Sequence, residues 1–262
     1  MKAKMFLIGS LWLSLCCLLQ AQPEKIGDPL DMAVNSVDDR YSTCAAQMEA
    51  KVKKTYFERE MKNNVFSKAW NAAKNCADRN MKNKEPGDKA LTKDHMQAIC
   101  VYTAGGPADF FKAFNDAVRT NRQQYGSSFP FHSLHFWLTR AIQILNHNKC
   151  YTTFRRTTCT LTGEINQEIR FGSFASSSKL STLTKFGKTT CFKITTCYGG
   201  YLKKYAVLGD HEQEVLIPPY ETFKIISKDK PLELSDCKTV YVLKPTGVQS
   251  NLNCQVANQI IL

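Results

Sequence analysis

The stretch Glu212-Gln213-Glu214-Val215-Leu216-Ile217-Pro218-Pro219-Tyr220-Glu221 places two carboxylates two positions apart, ahead of an apolar run and a proline pair. Read as a strand, its period of two points Glu212 and Glu214 to one face. Val215 and Ile217 then point to the other face, and Pro218 ends the strand. Two acids on one face of a rigid element suit chemistry at a developing positive charge, such as an oxocarbenium ion. The same spacing also fits an edge strand carrying two solvated glutamates. The rest of the chain decides between the two.

The strand-like character extends on both sides of this stretch, from Cys150 onward. Ile169 and Phe171 alternate with Arg170 and Gly172, and Phe192, Ile194 and Thr196 alternate with Lys193 and Thr195. Tyr201 to Val207, Thr222 to Ile226 and Val240 to Leu243 are further short candidates. Upstream, from Tyr41 to His147, alanine, lysine, methionine and glutamate are frequent and β-branched runs are few, which predicts helices. Val65, Phe66, Ala69 and Trp70 fit one helix face, and Phe110, Phe111, Phe114 and Val118 form another stripe. Pro86-Gly87 and Gly105-Gly106-Pro107 break the helical part. In the last helix Leu134, Leu138, Ala141 and Leu145 repeat at helical spacing, with Ser133 as the expected cap. Phe136 and Trp137 read as core. The fold class is α+β: one domain over 22–262, helical over 41–148, then a mainly antiparallel sheet or sandwich over 149–254. No Gly-x-Gly-x-x-Gly follows a strand, so a Rossmann cofactor site is not supported.

Residues 1–21 read as a secretory leader. Lys2 and Lys4 precede an apolar core from Met5 to Leu19, and Leu19-Gln20-Ala21 sets cleavage after Ala21. The apolar core is short for a membrane span. The three terminal aliphatics do not make a glycolipid-anchor signal, so the chain as written is expected to be secreted, without stable membrane insertion. Of the eleven cysteines, Cys16 and Cys17 leave with the leader. Cys44, Cys76, Cys100, Cys150, Cys159, Cys191, Cys197, Cys237 and Cys254 remain, an odd set that reads as disulfides with at least one thiol left free or paired with another chain. No Cys-x-x-Cys occurs and the five histidines are scattered, so no metal site is expected. The formal charge of +12 favours anionic partners. The lysines are spread along the chain with no basic block interleaved with aromatics, so a nucleic-acid groove is not expected.

Three features fall in order within the strand-rich half: Phe154-Arg155-Arg156, the run Arg170-Phe171-Gly172-Ser173-Phe174-Ala175-Ser176-Ser177-Ser178, and Glu212-Gln213-Glu214. An arginine, a serine and a paired glutamate in this order resemble the R-S-E-x-E signature of the vertebrate arginine-specific ecto-ADP-ribosyltransferases. Asp38-Asp39-Arg40-Tyr41 with Cys44 resembles that family's N-terminal segment. Tyr102-Thr103, Phe114 to Arg119 and Phe129-Pro130-Phe131 through Leu138-Thr139-Arg140-Ala141 resemble its helical part.

The resemblance implies a secreted mono-ADP-ribosyltransferase that uses NAD or NADP as co-substrate. It implies transfer of ADP-ribose to arginines of extracellular or cell-surface proteins and release of nicotinamide. By the same resemblance Glu214 stabilises the oxocarbenium-like ribose, and Glu212 orients the acceptor guanidinium. Arg155 clamps the pyrophosphate, Ser176 bonds the ribose or braces Glu214, and Phe186 stacks on nicotinamide or packs in the core. Two alternatives stand beside this: an NAD glycohydrolase, and a catalytically weak basic binding protein on the same fold. Arg156 stands where a glycine is common and would crowd the phosphate site or add a second phosphate contact. Lys179 replaces a usual apolar residue, and Ala206 a frequent serine. The resemblance further implies the bridges Cys44–Cys254 and Cys150–Cys197, with Cys76–Cys100 and Cys159–Cys191 suggested and Cys237 left over. Oligomeric state is not legible.

Overall fold

The computed structural model describes residues 27–104 and 108–258. The leader at 1–21, the breaker Gly105-Gly106-Pro107 and the terminal residues 259–262 lie outside the described residues. Helices α1 (Ala45–Lys51), α2 (Phe57–Glu60), α3 (Asn64–Ala72), α4 (Lys74–Lys82), α5 (Lys93–Thr103), α6 (Ala108–Thr120) and α7 (His132–Asn146) form the first half. A short strand β1 (Asp28–Pro29) precedes them. Strands β2 (Tyr151–Thr157), β3 (Leu161–Thr162), β4 (Glu168–Ile169), β5 (Ala175–Ser178), β6 (Thr190–Thr196), β7 (Gly200–Tyr201), β8 (Glu214–Ile217), β9 (Glu221–Ser227) and β10 (Thr239–Val248) follow. The α+β order expected from the residue pattern is the observed one.

Local chemistry sets the helix ends. Asn63 Oδ1 accepts from Val65 N at 2.9 Å and opens α3. Thr92 and His95 cap the start of α5 reciprocally. The expected Ser133 cap of α7 does not form. Phe131 occupies that position, and the buried Glu60 carboxylate accepts from His132 N at 2.7 Å and Ser133 N at 3.0 Å instead. A carboxylate there also meets the positive end of the helix dipole. Leu134, Leu138, Ala141 and Leu145 are fully buried, and so are Phe66 and Trp70 on α3, whereas Val65 is half exposed.

Eight strands make one sheet in the order β4-β9-β10-β6-β2-β5-β8-β7. All neighbours are antiparallel except β10 and β6, which run parallel. β1 and β3 form a separate parallel pair. Leu216 joins the helical core with Phe174, Leu202 and Tyr205. Ile217 faces a second core with Ile169, Phe192, Ile194, Phe223, Ile225, Tyr241 and Leu243. The alternation read for β8 therefore holds, and it stops before Pro218.

Two expected strands are shorter than the pattern suggested. Tyr201 to Val207 leaves the sheet after Tyr201, because Lys203 takes a left-handed backbone and Lys203–Tyr205 forms a 3-10 turn. That turn is pinned by Tyr205 Oη donating to Asp88 Oδ2 at 2.7 Å and by Lys203 pairing with Asp88 at 2.8 Å. β4 ends at Ile169, and Gly172 then turns the chain with φ +68 so close to Ala33 that a Cβ would meet it at 2.2 Å. Arg170, fully buried, ties the N-terminal segment and the segment after β10 to this turn. It pairs with Asp38 at 2.7 Å and donates to the carbonyls of Met32, Ala33 and Gln249.

Four disulfides are formed: Cys44–Cys254, Cys76–Cys100, Cys150–Cys197 and Cys191–Cys237. The last corrects the expected Cys159–Cys191. Parallel pairing sets Val240 beside Cys191, which brings the Cα of Cys237 within 6.1 Å of it. Among the described residues Cys159, buried, is the cysteine outside these four bridges. Among the described residues no helix is long and apolar enough to cross a membrane.

Candidate active site

The sheet opens between β2 and β5. β2 pairs with β6 along its whole length but with β5 only at Phe154 and Ser178. Arg155 Nη1 reaches across the gap and donates to the Ser176 carbonyl at 2.7 Å, satisfying an acceptor that an intact ladder would have paired. Beside this opening lies a cleft with about 670 Å³ of open space. Arg155, Ser176, Phe186, Glu212 and Glu214 all line it, so every residue singled out for the site meets in one place.

Glu214 begins β8 opposite Ser178, and Ser176 lies two residues further along the facing strand, on the same face. Glu214 is 8 % exposed. Its Oε1 and Ser176 Oγ are both buried, and the Ser176 hydroxyl is close enough to act on the carboxyl. Burial lifts the Glu214 carboxyl from 4.5 to about 7. The nearby Ser176 hydroxyl and Arg155 charge oppose that lift, and the Glu212 charge adds to it. A cleft thus ends in a carboxylate and a hydroxyl beside a permanent cation.

Glu212 comes to the same cleft by another route than the one read from the sequence. It is not on the strand. Gln213 takes a left-handed backbone, φ +42, so the period of two does not reach back to Glu212. A turn presents it instead, held by Ser178 Oγ donating to Glu212 O at 2.5 Å and by Lys179 N donating to Gln213 O at 3.1 Å. The serine triplet divides its work. Ser176 faces Glu214, Ser177 Oγ donates to Val215 O at 2.8 Å, and Ser178 fixes the turn.

Phe186 closes a 3-10 turn, Thr184–Phe186, in the cleft wall. Arg156 also lines the cleft, but its guanidinium is engaged by other groups. Its guanidinium pairs with Asp236 at 3.0 Å and donates to Ser181 O at 2.9 Å and to Cys237 Sγ at 3.1 Å. The binding-protein reading, which leaned on Arg156, loses that support. Lys179 lays its ammonium 3.3 Å from the Tyr201 ring centre. Ala206 is a buried part of the cleft wall.

Two neighbours were not foreseen. Tyr102, buried on α5, donates its hydroxyl to Phe174 O at 2.9 Å; burial, with the Glu214 charge acting the same way, keeps the phenol protonated. Its place in the quoted Tyr102-Thr103 pair was the available signal. Lys185 pairs with Glu212 at 2.5 Å, and nothing in its local sequence announces this.

Residues 30–236 match the model of the family described as NAD:arginine ADP-ribosyltransferase. The chain is 32 % identical over 238 residues to the erythroblast NAD(P)(+)–arginine ADP-ribosyltransferase of Gallus gallus, covering 88 % of this chain and 76 % of the relative. It is 33 % identical over 246 residues to the GPI-linked NAD(P)(+)–arginine ADP-ribosyltransferase 1 of Homo sapiens, covering 86 % and 73 %. The crystal structure of a mutant of the eukaryotic mono-ADP-ribosyltransferase ART2.2 in complex with NADH superposes with a TM-score of 0.73 at 31 % identity, covering 87 % of this chain and 98 % of that one. A second mutant of the same enzyme, in complex with NAD, superposes equally well.

Proposed function

The chain belongs to the NAD:arginine ADP-ribosyltransferase family and is an enzyme that transfers ADP-ribose from NAD to arginine, and we propose that Arg155, Ser176, Glu214 and Glu212 divide that reaction among them. The observation that carries the proposal is the buried Ser176 hydroxyl beside the buried Glu214 carboxyl, both lining the cleft with Arg155. A ribose hydroxyl would bond to both.

In the reaction the bond between ribose C1′ and the nicotinamide nitrogen breaks. Its electron pair leaves with nicotinamide, and C1′ becomes cationic. Glu214, fixed and buried in the cleft wall, would stabilise the developing charge without reorganising. Its ionised form is the useful one, and the positive nicotinamide ring of bound NAD favours that form. Arg155 offers a permanently charged fork suited to phosphate oxygens. Phe186 supplies an aromatic face at the cleft wall. Glu212 receives the acceptor guanidinium, aligns it and takes the proton lost when a guanidinium nitrogen bonds to C1′.

We place this activity outside the cell. The leader-like start and four disulfides support that reading, as do relatives named GPI-linked and ecto-enzymes. Arginines of extracellular and cell-surface proteins are then the acceptors. The test is the disulfide-intact protein with labelled NAD and agmatine, following nicotinamide and the ADP-ribosylated acceptor together. Acceptor-dependent adduct is expected. Nicotinamide release with no adduct at any agmatine concentration would make water the acceptor and the protein a glycohydrolase.

A further inference from the structure

Glu212 is occupied. Lys185 Nζ lies 2.5 Å from Glu212 Oε1, and among the described residues this is the one ion pair Lys185 makes. Four other lysines of the strand-rich half have other partners. Lys188 pairs with Asp236, Lys203 with Glu85 and Asp88, and Lys204 with Glu85, while Lys179 lies over the Tyr201 ring. Asp210, two residues before Glu212, accepts from Tyr201 Oη at 2.6 Å.

A guanidinium grips a carboxylate best through both oxygens at once. An acceptor arginine that uses Glu212 in this way displaces the Lys185 ammonium from Oε1. The displaced ammonium, 45 % exposed, then stands beside the acceptor chain with no carboxylate of its own. The two cations also repel each other at this range. Both costs fall if the acceptor brings a carboxylate with it. Resting on the transferase reading above, we propose that Lys185 is a specificity-determining residue, which selects acceptor arginines that have an acidic residue next to them in the chain.

The test uses the full secreted protein, NAD and blocked tripeptides with a central arginine flanked by glycines or by one glycine and one aspartate. The readout is kcat/KM for the ADP-ribosylated peptide. The wild-type protein should prefer the better aspartate peptide by about threefold to fivefold, the size of one solvent-exposed ion pair. Lys185→Ala should bring the ratio to about one, and Lys185→Glu should invert it. Equal use of all peptides by the wild-type protein would overturn the inference alone, as would a preference that survives Lys185→Ala. Nicotinamide release without transfer to any peptide would overturn the transferase reading, and this inference with it.

Discussion

At Glu214 a single carboxyl sets the reaction against the fold. Burial holds it at about 7 against an ordinary value of 4.5. A raised carboxyl contributes stability that is fully present below about 4.5 and is lost as pH rises through about 7. Glu214→Gln should therefore stabilise the protein by about 1–3 kcal/mol at pH 8, with the gain vanishing near pH 4.5. Urea titrations at the two pH values read this directly, and a gain that did not depend on pH would point to packing. The residue types of the site were legible because the chemistry needs them: a carboxylate for a cationic ribose, a fixed fork for phosphate. The geometry of Glu212 was not. Its place depends on one left-handed backbone at Gln213, which a glutamine does not announce. Lys185 was invisible for a related reason, since its partner is set by where two loops meet.

The elements were read most accurately where apolar residues repeat at the element's own period. The α7 stripe and the alternation of β8 follow directly from that repeat. They were misread where a distant polar group overrides local pattern, as Glu60 does at the start of α7 and Asp88 does at Tyr205. β2 shows the same thing beside the site. Its Arg155 faces the cleft, while Arg156 is drawn to Asp236 and braces the loop bearing Cys237. Asp236→Asn should lower the urea midpoint while folded enzyme keeps its nicotinamide release. A loss of activity in the folded variant, with stability unchanged, would instead make Arg156 part of the substrate site.

Across the whole molecule, the N-terminal segment and the end of the described chain are fastened to each other over the helices. Cys44–Cys254 spans 210 residues, and Asp38 accepts from Leu252 N at 2.9 Å and pairs with Arg170. Asp39, lifted to about 6 by burial against its hydrogen bonds from Cys254, Tyr125 and Tyr41, sits in the same knot. Replacing both cysteines with serine should cost about 5 kcal/mol on the chain-entropy account. The drop in ΔG from urea unfolding measures it, and a much smaller loss would mean that the Arg170–Asp38 knot holds the ends alone. The pairing of the chain ends was implied by family resemblance. The Cys191–Cys237 bridge was not, because it follows from the parallel register of β10 on β6, which no local spacing encodes.

The central claim is that two glutamates share one cleft and do different work: Glu214 serves the ribose and Glu212 the acceptor. The most direct measurement follows nicotinamide release and agmatine adduct in one reaction, for wild type, Glu214→Gln and Glu212→Gln. Loss of both products in Glu214→Gln is the predicted result, with loss of adduct but residual hydrolysis in Glu212→Gln. Either product persisting at the wild-type rate in Glu214→Gln would contradict the account, and so would full transfer by Glu212→Gln.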